Sequence, residues 1–134
     1  MNMSKSKIEQ FFTSGAYAVV GASKDRTKFG NKVLRCYLQN NLQVTPVHPL
    51  EKEIEGVACV NKLSQLNPEV KSISVITPPA ITEKIVEEAQ QQGIKNIWMQ
   101  PGASSPEAIK KCQEYGINVI ADGSCVLVEL GFFS

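Results

Sequence analysis

The chain is 134 residues long and 43% hydrophobic, with 14 Lys+Arg against 13 Asp+Glu and a formal net charge of +1. That length suits a single domain spanning residues 1–134, with a core over about 15–130, that buries most of its apolar surface. So small a charge supplies no long-range field to gather nucleic acid or an anionic membrane, which leaves any anion binding to local groups.

No apolar run approaches the length of a membrane span, and the opening MNMSKSKIEQFFTSG lacks the continuous apolar core of a secretory signal. The expected location is the cytosol. Cys36, Cys59, Cys112 and Cys125 form no C-x-x-C, and the lone His48 leaves no zinc set, so reduced thiols and no metal are expected. Most of these cysteines sit in apolar patterns, where the residue acts as a small buried hydrophobe.

The first predicted strand, YAVVG at 17–21, runs into a glycine turn and a basic cluster, and then into a helical pattern. There Phe29, Val33, Leu34, Tyr37 and Leu38 share one face, with Lys32, Arg35 and Gln39 turned away. QVTPV at 43–47 reads as the second strand. Residues 49–68 mix a charged loop, a short strand at 57–60 and a helical turn near 63–66. After the strand SISVIT at 72–77, a helix opens at Pro78-Pro79, carries Ile81, Ile85, Val86 and Ala89 as its apolar stripe, and stops at Gly93. NIWMQ at 96–100 gives the next strand. In SSPEAIKKCQEYG, Ser104 and Glu107 have capping-box spacing, and Ala108, Ile109, Cys112 and Tyr115 form a buried stripe that Gly116 ends. NVIAD at 118–122 follows, and Cys125 is expected to begin a final strand through the apolar VLVEL.

Short, nearly continuous apolar runs are what strands covered on both faces require. Their alternation with helices predicts an α/β fold: a single doubly wound, mostly parallel sheet with helices on both faces. In such sheets the ligand crevice lies beyond the carboxyl ends of the strands, where the strand order reverses.

The residues that follow the strands therefore share one rim: Gly21-Ala22-Ser23 with Lys24, Arg26, Lys28 and Gly30; His48-Pro49; Thr77-Pro78-Pro79; Gln100-Pro101-Gly102-Ala103; and Asp122-Gly123-Ser124-Cys125. Gly21 permits a sharp turn, and Gly30 near the helix start lets backbone N–H groups approach a phosphate at the positive end of the helix dipole. Ser23 and Lys28 are placed to add direct contacts; alternatively the glycines only make a strand-to-helix turn and the cations are solvated. An NAD site also needs a carboxylate at the end of the second strand, and here that place reads Val47-His48-Pro49. Its absence lowers the nicotinamide reading and suits a nucleotide whose ribose carries an extra phosphate.

The stretches GASKDRTKFGNKVLR, VTPVHPLEKEIEGV, ITPPAITEKIVEEAQQQGIKNIWMQPGAS and GSCVLVE, in that order, resemble the stand-alone CoA-binding domain family. Its members are single Rossmann-like domains similar to the CoA-binding domain of the succinyl-CoA synthetase α subunit. The resemblance implies that Gly21, Ala22, Ser23, Lys28, Phe29 and Gly30 line the CoA diphosphate and that Thr77, Pro78 and Pro79 border the adenosine part. It also implies that Gln100, Pro101 and Gly102 face the pantetheine. His48-Pro49 departs from the family's usual Asn or Ser before the proline, and ADGSC lacks the basic residue that many members have before the cysteine.

The synthetase chemistry does not follow from the resemblance, because it needs a phosphorylated histidine on a further domain and a partner subunit. No Ser/His/Asp order, G-x-S-x-G or paired rim carboxylates stand in the chain, so no catalytic residue is expected. The expected function is a cytosolic CoA or acyl-CoA binding protein acting as sensor, carrier or accessory subunit, with a protein partner or homo-oligomer open. The alternative is an NAD(P)-dependent enzyme, or a thioester enzyme working through Cys125, in the same crevice.

Overall fold

A computed structural model describes residues 3–133. The chain runs α1 (Met3–Phe11), β1 (Ala16–Val20), α2 (Phe29–Gln39), β2 (Gln43–Val47), a small hairpin of β3 (Glu53–Ile54) and β4 (Val57–Ala58), and a 3-10 turn at Leu63–Gln65. It continues with β5 (Ser72–Val75), α3 (Pro79–Gln91), β6 (Asn96–Met99), α4 (Pro106–Glu114), β7 (Asn118–Ile120) and a wide π-type turn at Leu127–Gly131. Five strands form one sheet in the order β2-β1-β5-β6-β7, every neighbouring pair parallel. The α/β doubly wound expectation holds, and the strand order reverses between β1 and β5.

The period-2 geometry of a strand sends alternate residues to opposite faces. Ala18, Val20, Ile73, Val75, Ile97 and Met99 pack with Val86 and Ala89 of α3 and Ala108 and Cys112 of α4. Tyr17, Val19, Trp98 and Ile120 pack with Phe11 of α1 and with Val33, Leu34 and Tyr37 of α2. Because both faces are covered, β1, β5 and β6 are buried along their whole length. That is why β1 reads as an unbroken apolar run, while β5 and β6 keep Ser72, Ser74 and Asn96 buried among their apolar residues.

The polar residues inside these strands have specific partners. Ser72 Oγ donates to the Phe11 carbonyl at 2.9 Å and receives Asn96 Nδ2 at 3.0 Å, while Asn118 Nδ2 reaches Asn96 Oδ1 and the Lys7 carbonyl, both at 3.0 Å. This ladder ties α1 to the amino end of the sheet. Tyr37 and Ser74 share a hydroxyl hydrogen bond of 2.7 Å, and burial pushes the Tyr37 phenol far above its ordinary range.

Some local expectations are corrected. Ser105, not Ser104, caps α4: its Oγ accepts from Ala108 N at 3.0 Å, because Pro106 takes the first helical position and moves the cap one residue on. Tyr115 is 38% exposed and donates its hydroxyl to Glu87 Oε2, since a phenol at a helix end gains more from a surface carboxylate than from the core. The segment after Cys125 is helical rather than a strand. Val128 and Glu129 both donate N–H to the Cys125 carbonyl, and Val126, Leu127 and Leu130, at i, i+1 and i+4, turn one apolar side onto the α2 face of the core. Helix α1 was not foreseen.

Phe11 stacks on Tyr17 with centroids 5.7 Å apart and meets the edge of Trp98 at 5.4 Å, and it is fully buried. Phe11→Ala should cost about 3–5 kcal/mol in chemical denaturation. A loss below about 1 kcal/mol would show that α1 lies outside the cooperative core.

Candidate functional site

The crevice at the switch point is built from the turn after β1. Gly21 has φ +98°, and a Cβ there would press on the backbone of Ile76 at 3.3 Å, so both conformation and space demand glycine. A Cβ on Gly30 would overlap the Gly21 carbonyl oxygen. Gly30 is therefore needed for close packing of α2 on the β1 turn, a contact that aims the first turn of α2 at the rim. No side chain caps this helix at Lys28. The positive end of its dipole is turned to whatever occupies the crevice.

Between the two glycines the loop is pre-formed. Asp25 Oδ1 accepts from Thr27 N at 2.9 Å and Thr27 Oγ1 at 2.7 Å, and these bonds hold the Asp25 carboxyl below its ordinary value. Ser23 Oγ accepts from Asp25 N, and Asn31 Nδ2 donates to the Ser23 carbonyl and to Glu55 Oε2. Lys24 pairs with Glu51 at 3.0 Å and Arg26 with Glu55 at 3.4 Å, which docks the loop on the β3–β4 hairpin region.

Two clefts flank the end of β5, and Thr77 and Pro78 line both as a shared ridge. Thr82, fully buried in α3, fixes that ridge by a 2.8 Å bond between its hydroxyl and that of Thr77. The first cleft, of about 440 Å³, is lined by Phe29, Ile76, Pro101, Gly102 and Cys125 beside the ridge, with no charged side chain. The second, of about 390 Å³, lies between the ends of β1 and β2 and the first turns of α3, and includes Gly21, His48, Pro49, Lys62, Ile81 and Ile85.

Of the residues singled out from sequence, Gly21, His48, Pro49, Thr77 and Pro78 line the second cleft, and Phe29, Pro101 and Gly102 the first. Ala22 and Gly30 are buried beneath the turn, Ser23 and Lys28 edge it, and exposed Pro79 starts α3. Gln100 is not brought to the rim. It is fully buried, with Oε1 accepting from Val126 N at 3.0 Å, so it holds the C-terminal segment against the sheet. His48 Nδ1 accepts from the backbone N–H groups of Leu50 and Glu51, each at 3.0 Å, which leaves the ring N–H on Nε2.

Sequence reasoning missed Asn61 and Lys62, which carry no periodic signal, and read Ile81 as core although it is 42% exposed into the second cleft. The four cysteines are unpaired thiols. Burial pushes Cys36 up to about 11, with a further rise from neighbouring Cys125, and pushes Cys112 up to about 12. Cys59 is raised by burial and then by Glu51 and Glu53. Among the described residues no His/Cys/Asp/Glu group could hold a metal ion, and no helix is long and apolar enough to cross a membrane.

A family model, the CoA binding domain, matches residues 15–131. The chain belongs to the CoA-binding domain family. Among curated relatives, the α subunit of ADP-forming acetate–CoA ligase II from Pyrococcus furiosus is 23% identical over 130 residues, covering 89% of this chain and 28% of that subunit. The uncharacterized protein YneT of Bacillus subtilis is 26% identical, covering 90% of both chains. Among solved structures, a conserved hypothetical protein from Pyrococcus furiosus is 36% identical with a TM-score of 0.81, covering 85% of this chain and 97% of its own. Against the acetate–CoA ligases the chain spans only 11%, 28% and 18% of their length.

In this CoA-binding domain the Gly30 contact gives a test with a diagnostic sign. Gly→Ala inside an unstrained helix stabilises by roughly 0.5–1 kcal/mol. Here Gly30→Ala should lower the melting temperature, because the new methyl group meets backbone that cannot step aside; an unchanged or higher melting temperature would show that α2 is free to shift.

Proposed function

We propose that the chain is a cytosolic, non-catalytic CoA or acyl-CoA binding protein, a carrier, sensor or accessory subunit. The observation that carries this reading is the pair of clefts on either side of the Thr77-Pro78 ridge, with the Gly21 turn and the start of α2 at the strand-order switch. A diphosphate would lie over Gly21 to Ser23 and the first turn of α2, near Lys28 and Phe29. The adenosine part would enter the second cleft against Pro49, Pro78 and Ile81. The pantetheine arm would cross the ridge into the uncharged first cleft along Pro101 and Gly102, with Gln100 acting from behind as a support. Family membership supports the ligand class, and the likeness to a ligase α subunit supports a protein partner as one form of the role.

The missing carboxylate after β2 favours CoA over NAD, since His48 and Pro49 stand where NAD would need a ribose acceptor. A ligand that binds only the native state adds RT ln(1 + [L]/Kd), or roughly 2.7 kcal/mol at a hundredfold excess over Kd. CoA should raise the melting temperature clearly and NAD much less at matched concentration. The reverse order would remove this reading in favour of an NAD(P)-dependent enzyme.

Cys125 gives the same site a redox reading, because it lines the first cleft where the pantetheine thiol would arrive. Its thiolate would attack CoA disulfide, forming the Cys125–CoA bond and releasing one CoA thiolate, with no other oxidant needed. Intact-mass analysis after incubation with CoA disulfide should show one adduct that Cys125→Ser lacks. No adduct, or one on Cys36, Cys59 or Cys112, would leave reversible binding alone.

A further inference from the structure

We propose that His48 and Lys62 together form a subsite for the 3′-phosphate of the CoA ribose, and so set the preference of the second cleft for CoA over its dephosphorylated form. The inference rests on the CoA reading and adds Lys62 to it. Lys62 is the one cation lining either cleft among the described residues. The other cations of this rim are otherwise engaged or placed: Lys24 and Arg26 face Glu51 and Glu55, and Lys28 stands at the start of α2.

The two groups are brought together by register. Val47 at the end of β2 bridges Val60 in parallel, so His48 follows directly on one side of the bridge and Lys62 two residues on along the other. His48 N donates to the Val60 carbonyl at 3.0 Å, and Val60 N to the Pro46 carbonyl at 3.1 Å. Asn61 closes the arrangement: its Nδ2 donates to the His48 carbonyl at 2.9 Å, and its own N–H is held by Gln65 Oε1 at 2.8 Å. The backbones carrying the ammonium and the imidazole are thus locked to each other before any ligand arrives.

The chemistry of the pair fits a phosphate monoester. With Nδ1 occupied by two backbone N–H groups, the ring edge left for the cleft is the Nε2–H donor. Lys62 adds a mobile point charge with three donors. A ribose diol would instead call for an acceptor at this place. The carboxylate that does line the cleft, Glu88, follows Ile81 and Ile85 down α3 and lies about 10 Å along the helix from Ile81.

The test is calorimetric titration of the full chain with CoA and with 3′-dephospho-CoA. The wild type should bind CoA at least about tenfold more tightly, as expected for charge-assisted hydrogen bonds to a phosphate. Lys62→Gln should erase most of the preference, lowering the affinity for CoA far more than that for dephospho-CoA. His48→Asn keeps an acceptor for the Leu50 and Glu51 amides but loses the Nε2 donor, and should erase part of the same preference. Equal wild-type affinities for the two ligands, or variants that weaken both equally, would overturn the subsite while leaving CoA binding intact. Failure of the wild type to bind either ligand would remove the CoA reading itself.

Discussion

The approach of Gly30 to the Gly21 carbonyl is the constraint on which the rest of the site depends. Two backbones meet where any Cβ would intrude, and only that contact lets α2 start directly against the end of β1. A side chain at Gly21 would press on the backbone at the end of β5, and one at Gly30 would push the helix outward. The amide groups of its first turn would then face solvent instead of the crevice at the strand-order switch. The loop between the glycines follows from this closure: since its ends are fixed, Asp25, Thr27 and Ser23 need only satisfy one another, and Asn31 stitches the result to Glu55.

The opposite wall obeys a different rule. Thr77 and Pro78 divide two cavities, so the ridge must be narrow and stiff. Proline at 78 and 79 removes backbone freedom, and Thr82 ties the ridge from inside α3 by bonds to Thr77 Oγ1 and to the Thr77 carbonyl. One side of the ridge is uncharged; the other carries a lysine, an imidazole, two isoleucines and, further down α3, a glutamate. A ligand that spans it has to be amphipathic in the same order: polar and planar at one end, neutral and extended at the other.

Much of this was legible in the sequence because burial on both faces writes a strand as a continuous apolar run, and because Pro79, Gly93 and Gly116 punctuate the helices. The features that escaped notice share a physical cause. Helix α1 is anchored by Phe11 and Phe12 against nearby Tyr17 and against Trp98, far along the chain, and MSKSKIEQF itself has no clean apolar face. The VLVEL segment suits a strand by composition, and it is helical because the α2 side of the core offers a surface to Val126, Leu127 and Leu130. Ile81 and Ile85 have perfect helical spacing with Val86 and Ala89, yet a stripe alone does not tell whether it faces a sheet or a cavity. Gln100 failed in the opposite sense: its place at a strand's carboxyl end pointed to the rim, but a buried amide partner, Val126 N–H, drew the side chain inward.

The near-zero net charge has a consequence for how an anion is held. Lys24 and Arg26 are 65% exposed and already face carboxylates, so each contributes little as a free field and more as a tether of the loop. The diphosphate proposed for the Gly21 turn would then be held mainly by oriented backbone N–H groups, the α2 dipole and Lys28, which act over a few ångströms and require the anion to be in place already. Such a site does not steer ligands from a distance. On the proposed reading it would hold one that the flanking clefts have seated, so selectivity would reside in the clefts and the ridge while the turn supplied a local, direction-dependent hold on charge.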